Sequence, residues 1–157
     1  LQQSETFMML RPEVYDQGLA KLSAEAEKNP TNTQIQLAYA QLLEKKDADK
    51  AIDVYRRVIA LDPKNFFANF NVGAIYNNRA AELNKKANAT SDQKEWERLD
   101  KETKAMLEKA YPFMKAAAEA NPKELAALQQ AKQIAILLSK DEDVKLLNEK
   151  IKAATGK

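Results

Sequence analysis

An all-α fold of about seven helices is expected for this chain, on three observations. Charged residues make up 31% and hydrophobic ones 45%, with 26 alanines against three glycines, a mix rich in helix formers. No stretch alternates apolar and polar with period two for long enough to argue for a strand. Three prolines share one setting, in Asn29-Pro30, Asp62-Pro63 and Asn121-Pro122, each between two amphipathic stretches. A proline just past a helix end stops that helix and opens the next, so these are read as turns between helices.

The spacing predicts helices over 13–28, 33–45, 48–61, 66–88, 92–120, 123–139 and 142–154. Twelve residues before each turn proline stand small residues, Gly18, Ala51 and Ala110. Ten residues after them stand Ala40, Gly73 and Lys132. Small residues at fixed places in successive helices imply that backbones cross closely, again and again, in one geometry.

One interval is stretched. Pro30 and Pro63 are 33 residues apart, whereas Pro63 and Pro122 are 59 apart. The extra length does not have loop composition. Ala80, Leu83 and Ala87 continue the helical face of Val72 and Tyr76. After a break at 88–91, Trp96, Leu99, Thr103, Met106, Ala110, Phe113 and Ala117 follow at alternating steps of three and four, a heptad seam. An elongated antiparallel hairpin, about 77–109 and tipped at 87–92, is therefore expected. Thr90 with Gln93 reads as the capping box of its second helix. Trp96 heads the seam and is expected to pack within the hairpin; exposed, it would mark a contact surface. Glu82–Lys86, Glu97–Lys101 and Asp100–Lys104 stand as i,i+4 pairs on the solvated side. Pro112 falls inside the second helix, where it costs a bond to the Glu108 carbonyl.

The repeated pattern resembles the tetratricopeptide repeat, whose period is about 34 residues and whose signature is W-x2-L-G-x2-Y, then A-x3-F, then P. The best copy reads Asn69-x2-Val72-Gly73-x2-Tyr76, then Ala110-x3-Met114, then Pro122. The copy before it reads Gln36-x2-Tyr39-Ala40-x2-Leu43, then Ala51-x3-Tyr55, then Pro63. A degenerate last copy holds Leu128, Ala131, Lys132 and Ala135. The resemblance implies a right-handed superhelix of antiparallel helix pairs, divided as 1–30 (a partial repeat), 31–65, 66–122 (with the elongated hairpin) and 123–157 (a capping repeat).

Composition removes most enzyme chemistry. With no Cys and no His, thiol nucleophiles, Ser-His triads, Cys/His zinc sites and disulfides cannot be built. Only Gly18, Gly73 and Gly156 are glycines, so no P-loop or dinucleotide fingerprint can be written. No catalytic residue, cofactor or metal is expected, and the chain is read as a non-enzyme. Lys+Arg 25 against Asp+Glu 23 leaves +2, which argues against a nucleic-acid surface. No membrane span is expected either. Residue 1 is Leu, so a processed chain or a piece of a longer one is expected; any signal peptide would lie upstream, and the compartment stays open.

The function expected from the resemblance is non-catalytic binding of a peptide or protein segment on the concave face. In the middle repeat that face holds Phe67, Phe70, Asn71, Ala74, Asn77 and Asn78. Rings take apolar side chains, and Asn can bond a peptide backbone as donor and as acceptor. Gln34, Leu37 and Gln41 are offered by one neighbour, Gln129 and Gln133 by the other. One subclass of the family clamps a terminal carboxylate with Lys, Arg and Asn. Here only Asn71 matches, beside Leu37, Gln41, Ala126 and Gln130, so that ligand is not expected. The alternative is a structural or self-associating segment of a larger protein, with a homodimer through the N-terminal partial repeat and its Phe7, Met8, Met9 and Leu10.

Overall fold

The computed structural model describes residues 11–156, so Phe7, Met8, Met9 and Leu10 lie outside the described residues. Among the described residues there are seven helices and no strand. None of these helices is long and apolar enough to cross a membrane. Contacts group the chain into two units, 1–63 and 64–157.

The first unit holds α1 (Pro12–Lys28), α2 (Thr33–Glu44) and α3 (Ala48–Leu61). Pro12 suits the first helical position, where no intrahelical donor is needed. Asn32 caps α2, its Oδ1 accepting from the Gln34 and Ile35 N–H groups at 3.1 Å. Asp47 caps α3 through Lys50 N–H at 3.0 Å. These caps satisfy donors that a helix start leaves orphaned. The core of the unit is Tyr39, Ala40, Leu42 and Leu43 from α2 with Ala51, Ile52, Val54, Tyr55 and Val58 from α3. The Tyr55 hydroxyl donates to Glu44 at 2.9 Å and joins these helices. Burial pushes the Glu44 carboxyl up, and that hydrogen bond opposes the rise. By contrast, α1 fully buries only Ala26, with Val14, Leu19 and Leu22 half-buried, and it also makes polar contacts. Tyr15 donates to the Leu42 carbonyl, and buried Gln36 donates from Nε2 to Ala26 O at 2.8 Å and Asn29 O at 3.1 Å.

The second unit holds α4 (Phe66–Ala89), α5 (Gln93–Ala120), α6 (Leu125–Leu137) and α7 (Asp141–Thr155). The long pair α4 and α5 forms the elongated hairpin, so the stretched proline interval is taken up by helix. The two helices come close at Gly73, where an added Cβ would stand 3.0 Å from Met114 Cε, 3.1 Å from Met114 N and 3.3 Å from Met114 Cα. The hairpin buries Val72, Tyr76, Ala80 and Ala87 against Leu99, Thr103, Leu107, Ala110 and Met114. Pro112 is exposed, and α5 continues through it as one helix.

Two local expectations are corrected. The cap of α5 is Asp92, whose side chain accepts from Glu95 N–H at 2.9 Å, while Thr90 Oγ1 accepts from Asp92 N–H at 3.2 Å. The seam also drifts, with Leu107 and Met114 buried where Met106 and Phe113 were expected, and these two are half-buried. An α-helix has 3.6 residues per turn, so a strict heptad rotates about 20° per repeat unless the pair supercoils to follow it.

The positions that proline spacing makes equivalent share one burial pattern. Gln36, Tyr39, Ala40 and Leu43 are buried, as are Asn69, Val72, Gly73 and Tyr76. In α6 Leu128, Ala131 and Ala135 are buried, and only Lys132 is half-buried. At the first of these equivalent positions in α2 and α4 the chain buries carboxamides. Gln36 reaches the end of α1, and Asn69 donates to Asn65 O at 2.8 Å.

At the C-terminal end, Ser139 takes the left-handed conformation (φ 55) that ends α6, with Lys140 N–H bonding Ala135 O at 2.9 Å. Asp141, Glu142 and Asp143 fill the first turn of α7, where acidic side chains suit the helix dipole. Tyr111 of α5 donates to Asp143 at 2.8 Å, with Lys115 at 3.6 Å from the same carboxylate. The Tyr111 bond, aided by Lys115, holds the Asp143 carboxyl below its ordinary value, while burial and that bond push the Tyr111 hydroxyl up. This clip therefore contributes stability above the ordinary aspartate value of 3.8 and loses it as pH falls further. Tyr111 acts in the other direction, its contribution complete below the ordinary value of 10.0 and lost as pH rises. Asp143→Asn is expected to flatten the acid limb of a melting-temperature profile against pH. An acid limb as steep as the native one would remove the clip from the account.

Candidate functional site

The candidate surface is the face of α4 turned away from its buried residues. Asn65 starts the helix, its Oδ1 accepting from Ala68 N–H at 3.0 Å. From there the face is decided by helical phase. Ala68, Asn69, Val72, Gly73, Ile75 and Tyr76 turn inward and are buried. Phe67 and Asn78 are exposed, and Phe70, Asn71, Ala74 and Asn77 are half-buried. All six expected residues of α4 thus fall on the side that the core leaves open.

Three rings gather at the first turns of the helix. Phe66 lies edge-on to Phe67 with centroids 5.4 Å apart, and stacks on Phe70 at 5.5 Å. Offset and edge-to-face arrangements of this kind are the favourable ones for aromatic pairs. Phe67 remains 57% exposed, the most exposed of the chain's large apolar side chains among the described residues. Phe66 was not among the expected residues, although its i,i+4 relation to Phe70 was present in the sequence.

The face is electrically quiet. The thirteen residues Phe66–Asn78 contain no charged side chain, in a chain where 31% are charged. Cations begin beyond it, with Arg79 and Lys109 at 5.9 Å and 5.8 Å from the centroid of the buried Tyr76 ring, which Phe113 stacks at 6.4 Å. The open strip therefore offers rings and carboxamides and no fixed charge.

The remaining expected residues are placed separately. Gln41 is exposed on α2 of the first unit, as is Gln34. Gln129 and Gln133 are exposed on α6. Trp96 is 41% exposed beside the hairpin tip and does not pack in the seam, a correction to the expected placement. With the tip residues Thr90, Ser91, Asp92 and Gln93 it lines a shallow open pocket. Of the expected surface pairs, Asp100–Lys104 closes at 2.7 Å. Arg98, which was not singled out, bonds both Glu95 and Glu102, at 2.6 Å and 2.5 Å.

Among the described residues no group of three or more Asp and Glu side chains is arranged to hold a metal ion. Of the perturbed carboxyls, Glu44 and Asp143 are each bonded to a tyrosine that links two helices, and Glu95 is held below its ordinary value by its hydrogen bond to Arg98 on the same helix. No protein-family model matches the chain, and no curated protein matches it.

Proposed function

We propose that this chain is a non-catalytic protein-interaction module of the tetratricopeptide type, taking a peptide or protein segment along the open face of α4. One observation carries the reading: an uncharged strip three turns long, bearing exposed rings and carboxamides, on a helix whose other face is closed into the core. Such a strip suits an uncharged peptide, with Phe67 and Phe70 taking apolar side chains and Asn71, Asn77 and Asn78 meeting backbone groups. The fixed spacing of Ala40 and Gly73 after their prolines supports the family reading.

The test compares the native chain with a Phe67→Ala, Phe70→Ala variant as bait in lysate of the source organism. Equal helicity by circular dichroism would show that the variant keeps its fold. Aromatic anchors at an interface contribute about 2 kcal/mol or more each, so loss of both is expected to weaken affinity by roughly several hundredfold or more. A partner held equally by both baits would move the site off α4.

The second reading, a segment that self-associates or holds a larger chain together, has its own support. Ile136, Leu137 and Leu146 are each more than half exposed at the α6–α7 end. Apolar side chains at one end of a helical stack suit continued stacking.

A further inference from the structure

The distal half of the α4–α5 hairpin carries a groove with an apolar floor and charged rims. Leu83 comes from α4, and Leu99 and Met106 from α5. Leu99 is buried, while Leu83 and Met106 are half-buried and open to the groove. Running from the base of the hairpin toward its tip, the α4 rim reads Arg79, Glu82, Lys86, which is plus, minus, plus. The α5 rim read in the same direction is Glu102, Arg98, Glu95, which is minus, plus, minus. Both rims span about 10 Å at the helical rise, so the two patterns share one scale. Arg98 bonds both glutamates of its own rim, which fixes that pattern in place.

We propose that a second copy of this chain docks on this groove, hairpin against hairpin, with both tips pointing the same way. A two-fold axis along the hairpin then lays α4 of one copy across α5 of the other, closing a four-helix bundle. Arg79 faces Glu102 of the second copy, Glu82 faces its Arg98, and Lys86 faces its Glu95. The reversed arrangement, base to tip, puts α4 across α4. Arg79 then meets Lys86, and Glu82 meets Glu82, so like charges oppose each other throughout. An unrelated helix would need a matching pattern on both of its flanks, whereas a copy already carries both. Exposed ion pairs add little affinity, so the rims set orientation and the apolar floor supplies the association. The dimer is therefore weak and depends on concentration.

Sedimentation of the native chain, raised to millimolar concentration, is expected to show a shift from 17.7 kDa toward twice that mass. Lys86→Glu and Glu95→Lys each turn a facing pair into two like charges. Each variant alone is expected to weaken association about tenfold or more, with an unchanged circular dichroism spectrum. Mixing the two restores opposite charges at both places, so the mixture is expected to dimerise as well as the native chain does. That recovery also shows that neither variant has unfolded. A chain that stays monomeric throughout would overturn the proposal. So would dimers indifferent to both substitutions, or a mixture that fails to recover, because the copies would then meet elsewhere or in another register.

Discussion

Replacing Gly73 by valine is expected to destabilise the second unit by about 3 kcal/mol, lowering its melting temperature by roughly 10–20 °C. The cause is local. A Cβ at this position meets backbone N and Cα of Met114 at 3.1 Å and 3.3 Å, and helix backbone cannot step aside as a side-chain tip can. Alanine separates the contributions. Its helix propensity favours it over glycine by about 1 kcal/mol, while a single forced methyl costs about 1–3 kcal/mol. The alanine variant should therefore fall between neutral and mildly destabilised, with valine well below it. Ala40, equivalent by spacing, is fully buried yet carries its methyl, so α2 leaves room that α4 lacks. Trp96, the chain's single tryptophan, sits beside the hairpin tip, and its fluorescence on heating reports on this unit directly. A valine variant melting with the native chain would show that the two helices are free to part.

Tyr55→Ala is expected to leave the first unit unfolded or nearly so. The ring is fully buried, and removing a buried aromatic side chain costs about 3–5 kcal/mol. A unit spanning residues 1–63 holds a total stability of about 3–9 kcal/mol at ordinary values per residue. The hydroxyl adds to the loss, since its removal takes away the donor to Glu44, a carboxyl already pushed up by burial. Tyr55→Phe isolates that part and should cost about 1 kcal/mol, with the Glu44 carboxyl rising further. Far-ultraviolet circular dichroism measures both. An alanine variant with native helicity and a native melt would mean that α2 and α3 are held by something other than this ring.

Much of the architecture was readable because its signals are local. Prolines 30, 63 and 122 follow the ends of α1, α3 and α5, and the hairpin was readable because Ala80, Leu83 and Ala87 kept helical phase beyond the repeat. The errors arose where two local signals competed. Thr90-x-x-Gln93 and Asp92-x-x-Glu95 both fit a capping box, and the choice between them depends on where α5 begins. The heptad through Trp96, Met106 and Phe113 matched in spacing, but over an α5 of 28 residues the face turned and left Trp96 outside. The candidate surface was readable as the complement of the core: once Val72, Gly73 and Tyr76 face inward, Phe67, Phe70 and Asn78 must face out. Phe66 was missed because it is the first helical residue, where phase says least about direction.

Pro112 has a consequence for how the chain reaches this structure. In the folded chain α5 runs through it, and no peptide bond among the described residues is cis. In an unfolded chain about 10–30% of Xaa–Pro bonds are cis and interconvert over tens of seconds. A cis bond at a turn such as Asn29-Pro30 can be tolerated while neighbouring helices form. A cis Tyr111–Pro112 bond splits α5 between Ala110 and Met114, two of the residues it buries against α4. The longest helix of the protein therefore waits, in that fraction of molecules, on the isomerisation of one bond.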